Sequence, residues 1–554
     1  MPIKILPPVA LRHFLLCVTL VLSLTVMPAG AQPQTPEYIT LDGQVFHLLL
    51  TKRDLSGYGV PDLDPAHRFY RVRLEGEPDS EGRLALIEGQ WQGMILHRGA
   101  VHVLNDSDLV ARNRSTSTLQ TRALSPQLNL GQCARPRSLI AHPLTSTAVT
   151  PRSLNAMALS VDYDNFCQEQ VDGVCLVAEL TMVFDTPFNA AFGASYRAQG
   201  LLIIEYVDLI YRRNFGIAFN QLRVEFGAGD VFDTDIDSVL QTMADYRWDQ
   251  TIGFDPNPYA IMHYVTGGDY TTNDSQAIGV ANFPFYSGTA DNPVLEEPVL
   301  CQRAAAVGTS QLWGSGSNRT SYTALIVAHE IGHNFGFDHD GQDGSIAQSC
   351  SATDWIMGAN LNVQADDFSS CSETQLRPNI NALDPIENCF DFPADGAIQA
   401  DAGNLSEAEA GEPITLAYAV TAETRSDQTA GLQVQGNISD GSGRLTAVTL
   451  DAAACTLSNS NQSYTCTVSA ASTHNLQVSL TAETSVALVN SVTVTGANRY
   501  DVSPDNNSAT STISLPLPER TNFERGGESG DGGGGGSLPW WFLAPAGLLW
   551  WRRT

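Results

Sequence analysis

His329-Glu330-Ile331-Gly332-His333-Asn334-Phe335-Gly336-Phe337-Asp338-His339-Asp340 is the stretch that decides how this chain folds. The whole sequence holds 11 histidines, and three of them fall here. Six specified residues at this spacing arise by chance on the order of once in a million such chains. Tyr322 to Asn334 is apolar and reads as a buried helix, on which His329 and His333 lie four apart and share one face. Imidazoles so placed can meet a single Zn²⁺ at about 2.0–2.1 Å. Gly336 suits the left-handed conformation that ends a helix and redirects the chain, so that His339 returns as the third ligand. Three protein ligands leave a fourth position for water, the arrangement of a catalytic rather than a structural zinc. Glu330 follows His329 directly and cannot share its face. It is assigned as the general base that takes the proton of the attacking water and hands it to the leaving amine. His47, His97, His102, His142, His263 and His474 read as structural or exposed.

This pattern resembles the metzincin metalloproteases. That clan also sets a methionine-containing turn under the zinc, for which Asp354-Trp355-Ile356-Met357-Gly358 is the candidate, with Met357 in the structural role. Asp340 after the third histidine, and Phe368-Ser369-Ser370-Cys371-Ser372 after the methionine, are similar to the adamalysin (reprolysin) branch. Tyr264-Val-Thr-Gly267 through Ala277-Ile-Gly-Val-Ala281 is similar to that family's edge strand, where backbone pairs with an extended substrate. The likeness covers about residues 155–392. Tyr70 to Ile95, above all Leu74-Glu-Gly-Glu-Pro-Asp79, resembles the family's propeptide. What the resemblance implies is an α+β catalytic domain with a mixed twisted sheet, a zinc helix and a Met-turn. It further implies one catalytic zinc and protein or peptide substrates. Glu179 stands where the family often supplies a calcium ligand, yet no matching acidic partner is found near Ala260.

Composition bounds the alternatives. At 554 residues the chain is several domains, and 43% hydrophobic against 16% charged residues excludes a disordered polymer. Acids outnumber bases 60 to 30, and four of the bases, Lys4, Arg12, Arg552 and Arg553, sit at the two ends. An acidic body excludes nucleic acid as a partner, because phosphate backbones need a basic stripe. The N-terminal segment, Lys4 and Arg12 followed by the apolar run Phe14 to Val26 and then Ala29-Gly30-Ala31, reads as a secretory signal peptide over 1–31. Signal peptidase and the export machinery are therefore expected partners. At the other end, glycines from Gly526 to Gly536 precede the apolar stretch Leu538 to Trp551 and two arginines. As helix that stretch would reach about 21 Å, short of a bilayer core. The order resembles the GlyGly-type C-terminal sorting signals of Gram-negative bacteria. This implies a rhomboid-type sortase as partner and a secreted or cell-surface product attached transiently to the inner membrane through its tail.

Between these ends, residues 32–151 are expected as a β-rich propeptide. The catalytic domain follows over 152–394 and an all-β, immunoglobulin-like sandwich over 395–518. A Gly-rich linker then spans 519–536, and the apolar sorting tail with its basic end spans 537–554. Strands are expected at Phe46–Leu50, Phe69–Leu74, Arg83–Ile87, Ala100–Leu104, Ala156–Val161, Leu180–Phe184 and Ile217–Phe226. One long helix is expected from Asn189 to Asn214, ended by Gly216, and another from Asp237 to Arg247. Ser107 to Arg152, rich in Ser, Thr, Pro and Arg, reads as loop or linker. Beyond Pro393, period-two alternation in Leu432–Gln435, Leu445–Leu450, Leu476–Leu480, Ser491–Thr495 and Ser511–Leu515 indicates the sandwich.

Ten cysteines less Cys17 of the signal leave an odd number. Cys455 and Cys466 are expected to pair within the sandwich, and Cys167 and Cys175 to close a local loop. The reprolysin resemblance implies Cys301–Cys389 and Cys350–Cys371. Cys133 remains, either as a thiolate that caps the zinc and holds the precursor latent, or as a cysteine with no such role. The function expected is a secreted zinc endopeptidase made as a latent precursor. The alternative is a surface adhesin or binding protein whose sandwich is the working module.

Overall fold

Seven strands of the N-terminal region close on themselves: β1 (Tyr38–Leu41), β2 (Gln44–Arg53), β3 (Arg68–Leu74), β4 (Glu77–Ile87), β5 (Gln90–His97), β6 (Ala100–Arg112) and β7 (Thr116–Ala123). Each pairs antiparallel with the next, and β1 meets β7 in parallel to seal the barrel. Three of its turns, Asp42-Gly43, Glu88-Gly89 and Arg98-Gly99, hold both residues at positive φ, the geometry that matches the twist of a two-residue hairpin. The computed structural model describes residues 35–112, 116–123, 133, 137–138 and 162–515, the last apart from short interruptions. The signal segment, the strand expected at Ala156–Val161 and everything from residue 516 onward lie outside the described residues. Among the described residues no helix is long and apolar enough to cross a membrane.

The linker reading of Ser107 onward needs correction. β6 runs on to Arg112, β7 follows, and Arg137–Ser138 form a further short strand, β8. Ser- and Thr-rich composition signals a loop only when nothing distant pairs with it, and here β1 and β6 supply the partners.

The barrel is buried on two sides. Val72, Leu84, Leu86, Trp91 and Ile95 fill its interior. Ala85, Ile87, Met94, Leu96, Val101 and Val103 face outward and join the core of the next unit. Burial of each larger side chain is worth about 1.5–3 kcal/mol. The barrel is thus docked against its neighbour as well as tethered to it.

That neighbour is built on β9 (Leu176–Phe184), in which every residue is buried. A short helix, α1 (Tyr163–Phe166), precedes it. β10 (Ile217–Phe226) runs parallel along one edge of β9 and β11 (Ile261–Thr266) along the other. β12 (Gly279–Phe283) closes the sheet antiparallel to β15 (Val307–Gln311), which is parallel to β11. Between β12 and β15 stands the hairpin β13 (Phe285–Thr289) and β14 (Asn292–Glu297). The segment similar to a substrate-pairing edge therefore divides. Tyr264–Thr266 lies in the interior strand β11, whereas β12 lies next to the edge, with only the two-residue β8 outside it.

The long helix expected from Asn189 is two helices, α2 (Thr186–Phe192) and α3 (Tyr196–Phe215). Gly193 separates them at φ 58°, ψ −128°, a conformation for which a Cβ is unsuited. Gly216 ends α3 in the left-handed region as expected. α4 (Ile236–Asp249), α5 (Asn318–Asn334) and α6 (Ser370–Asn381) complete the helices.

β16 (Phe390–Ala400) links this sheet to the last unit. Its first residues pair with β9 and its later ones with β17 (Ile414–Thr424). The boundary expected between 394 and 395 thus falls inside a strand; backbone pairing ignores the change in composition that suggested it. The last unit has two layers. β17, β23 (Thr473–Thr481), β19 (Arg444–Leu450) and β20 (Ala453–Ala454) continue from β16, while β21 (Thr456–Ser458), β22 (Ser463–Val468), β18 (Gly431–Ile438), β24 (Val486–Thr495) and β26 (Ser508–Ile513) form the facing sheet. β25 (Arg499–Asp501) pairs with β16. Alternating residues such as Leu416, Tyr418, Val434, Val478 and Leu488 make up the core between them. Disulfides join Cys167–Cys175, Cys301–Cys389, Cys350–Cys371 and Cys455–Cys466, the four pairings expected. Cys133 is the free cysteine among the described residues, and it is buried.

Candidate metal centre

α5 is buried from Thr320 to Asn334 because it runs beneath the sheet and beside α3. Tyr211 of α3 donates to the Ala328 carbonyl at 2.9 Å, and Asn334 donates to the carbonyls of Asn282 and Val307. These bonds fix both ends of the turn that carries His329 and His333. Gly336 follows at φ 91°, where a Cβ would lie 2.1 Å from Asn379 Nδ2. Glycine therefore lets the chain turn tightly enough to bring His339 back.

Ring nitrogens of His329, His333 and His339 all lie within 4.8 Å of one another. Each Nδ1 is held by an acceptor: the Ile356 carbonyl at 2.7 Å, the Phe337 carbonyl at 2.6 Å and Gln342 Oε1 at 2.8 Å, respectively. A proton on Nδ1 leaves the Nε2 lone pair free for a metal, and such outer partners also orient the rings. His329 Nε2 and His339 Nε2 stand 3.1 Å apart, near the roughly 3.3 Å expected between ligands of a tetrahedral zinc with 2.0–2.1 Å bonds. His333 Nε2 is buried with no partner among the described residues. Burial, reinforced by His339, pushes His329 down to about 3, and His333 is likewise lowered well below the usual range. Neutral imidazole is the form that binds a metal. The donor set fits a single zinc.

Glu330 is fully buried, and burial raises its carboxyl well above the usual range. Apart from the Cys133 thiol that faces it, neither carboxylate oxygen has a donor among the described residues. On its other side is Gly279 of β12, where a Cβ would come 2.5 Å from Glu330 Oε1. Met357 is buried under α5, with Gly332 allowing the approach: a Cβ there would meet the Met357 sulfur at 2.8 Å. Asp340 ties the third histidine to this turn, since its amide donates to the Met357 carbonyl and its Oδ1 accepts from Ser369.

The N-terminal region enters the same cleft. Cys133 donates its amide to the Ala359 carbonyl, and its sulfur lies within 4.8 Å of both a His329 nitrogen and a Glu330 oxygen. Burial, then Glu330, pushes this thiol up. A bound cation would act in the opposite sense and favour the thiolate. Four residues on, β8 pairs in parallel with β12, Arg137 with Asn282 and Ser138 with Phe283.

Residues missed from the sequence are Gly279, Gly332 and Asn257. Asn257 stands beside Glu179, to which it donates, and it also donates to the Asn388 carbonyl. Near Ala260 Glu179 thus meets an amide and no acid among the described residues. None of the three carries a local signal, because each matters through what the fold brings against it.

Known proteins resemble the centre of this chain. The family described as Metallo-peptidase family M12B Reprolysin-like matches residues 198–340 and, in a second form, 299–387. "Zinc metalloproteinase-disintegrin-like atragin" of Naja atra is 28% identical over 31% of this chain and 24% of its own length. "A disintegrin and metalloproteinase with thrombospondin motifs 13" of Mus musculus is 38% identical over 13% of this chain and 6% of its own. The chain thus spans a quarter or less of these relatives. Metalloproteinase-II from Bacteroides fragilis aligns over 60% of this chain and 86% of its own with a TM-score of 0.32 and 11% identity, too slight to carry an argument. Together these matches support a reprolysin-like metallopeptidase unit within residues 198–387.

Proposed function

We propose that this chain is a secreted zinc endopeptidase, made as a latent precursor, that hydrolyses protein or peptide substrates with Glu330 as general base. One observation carries the reading: three imidazoles, each with Nδ1 engaged and Nε2 turned inward, converge beside a buried carboxylate that has no other task. When bound, the zinc supplies Lewis acidity toward a water and the scissile carbonyl. Glu330, held beside that point by Gly279, takes the proton of the attacking water and delivers it to the leaving nitrogen. Met357 and Asp340 keep the histidines in register from below. β12, free at its outer edge once residues 137–138 leave, offers backbone groups to an extended substrate.

Latency fits the same geometry. The Cys133 sulfur faces His329 and Glu330, and β8 occupies the edge of β12, so Cys133 and residues 137–138 take up space a substrate needs. We further read 1–31 as an export signal. The Gly-rich segment and apolar tail after residue 518 are read as a sorting signal cut by a rhomboid-type sortase, which directs the product outside a Gram-negative cell. No observation favours the adhesin alternative. A cleavage profile of the mature protein against a peptide library, with and without a zinc chelator, tests the reading. Chelator-sensitive cuts within peptides are expected, and hydrolysis indifferent to chelation would overturn it.

A further inference from the structure

We propose that the C-terminal sandwich is a docking surface for the N-terminal barrel, and that it holds the barrel in place after the chain between them is cut. The inference rests on reading the barrel as a propeptide. It adds that the sandwich, far from the metal centre in sequence, sets how fast the cut propeptide leaves.

The observation is a buried charge cluster to which all three units contribute. Arg53 of β2 places Nε and Nη2 on the two oxygens of Glu205 in α3, each at 3.0 Å, and Nη1 on Asp505 Oδ2 of the sandwich at 3.2 Å. Tyr58 Oη and Arg83 Nε, also from the barrel, donate to Glu205 at 2.6 and 3.1 Å. Arg53 and Glu205 are both buried, and the Asp505 side chain is only 9% exposed. The other Asp505 oxygen accepts the Asp54 amide at 2.7 Å. A second link lies alongside: Asp172 Oδ2 accepts from Arg71 of the barrel at 2.8 Å and from Ser503 of the sandwich at 2.5 Å.

Asp505 is pre-organised for this. It sits in the turn Pro504–Asn506, which Asn506 anchors to Asp395 and Asn507 anchors to Asp501. Both its oxygens point at the barrel, and among the described residues they make no bond to their own unit. An acceptor held rigidly by one unit and spent on another is an interface group.

Every barrel residue in this dock precedes residue 124, and every partner follows residue 161. A cut within 139–161 therefore removes the tether and none of the contacts. The outward apolar residues of β4 to β6 stay buried, and Arg53 keeps both carboxylates. Departure of the barrel requires Asp505 and Glu205 to give up Arg53 together, because one guanidinium is shared between them.

The test uses the full-length chain carrying Glu330→Gln, which prevents self-digestion, with a site for a sequence-specific protease placed between residues 139 and 161. After complete cutting at that site, the N-terminal fragment should co-elute with the remainder in gel filtration. Asp505→Ala should then release the fragment at least about tenfold faster, as expected for loss of a hydrogen bond to a charged group. Asp505→Asn keeps an acceptor for the Asp54 amide but no charge for Arg53, and should fall between. Before cutting, the zinc content of both variants should match the parent, and the melting temperature should fall by no more than a few degrees. Should Asp505→Ala misfold, Ser503→Ala probes the second link and should also speed release. Immediate separation of the parent's cut fragment, or parental release rates in all the variants that fold, would overturn the proposal. Because the readout is association and not hydrolysis, such a result would leave the endopeptidase reading standing. Failure of hydrolysis in the mature enzyme would likewise leave the dock untouched.

Discussion

Replacing Gly279 by alanine adds one carbon and should disable the base without touching a ligand. The new Cβ would lie 2.5 Å from Glu330 Oε1, 2.8 Å from its Cγ and 2.9 Å from its Cδ. Crowding therefore involves the stem of the side chain as well as its tip, so rotating the carboxylate alone is no escape. Restoring an ordinary contact near 3.4 Å requires a shift of about 0.9 Å. The Glu330 backbone is fixed in α5, and β12 is pinned by Asn334, so the carboxylate is the part that yields. A misplacement of roughly 1 Å costs on the order of 10²-fold in rate. kcat/KM on a fluorogenic peptide should fall by about that factor, mostly through kcat, while metal analysis still finds one zinc per chain. Overpacking of this kind costs about 1–3 kcal/mol, so melting should drop by several degrees and not collapse. Parental kcat/KM in a folded, zinc-loaded Gly279→Ala enzyme would refute the assignment of Glu330 as the base, or its dependence on this contact.

Four further outcomes are expected. Glu330→Gln should keep its zinc and lose about 10²–10⁴ or more in rate, whereas His333→Ala should lose the metal itself; metal analysis beside peptide hydrolysis separates the two. Cys133→Ala should yield a precursor active before cleavage, or one that destroys itself during export, and full latency in that variant would mean that residues 137–138 and the barrel block the cleft unaided. The released protein should end within or just after Gly526–Ser537 by mass spectrometry, and an intact Arg553 on it would argue against a sorting tail. Glu205 is pushed upward by burial, but Arg53 and Arg83 more than offset this and hold it at about 2. A depressed carboxyl contributes stability above its unfolded value near 4.5 and loses it as pH falls through about 2. Glu205→Gln should therefore lower the precursor's urea midpoint at pH 7, with the deficit narrowing only below about pH 4.5.

The geometry of the centre was legible because it is local. His329, Glu330, His333 and Gly336 lie on one helix and its terminating turn, where spacing translates directly into geometry. The disulfides within short loops were legible for the same reason. What the sequence hid depends on distant pairing. Thr116 to Ala123 has the composition of a linker and becomes a strand because β1 and β6 flank it. Gly193 inside an apolar run reads as a tolerated residue, until its backbone conformation separates α2 from α3. Gly279 and Gly332 are silent for a related reason: a missing side chain has meaning only beside the Glu330 and Met357 that occupy its space. The charge cluster joins residues more than 400 positions apart, Arg53 and Asp505, and no pattern in either segment announces the other.

β16 has a consequence for how the molecule comes apart. β16 pairs with β9 at its first two residues and with β17 from Ala394 on, and Arg425 beside β17 donates to the Phe166 and Glu169 carbonyls. Heat that loosens one unit strips partners from the other, so the two should melt in a single cooperative transition and not in succession. A shortened chain ending near residue 394 would also leave β16 cut in mid-strand and its neighbours bare. Exposed strand edges of that sort recruit other chains. For this molecule the smallest stable catalytic piece is larger than the catalytic residues suggest, and it includes the strands that hold the far end of β16.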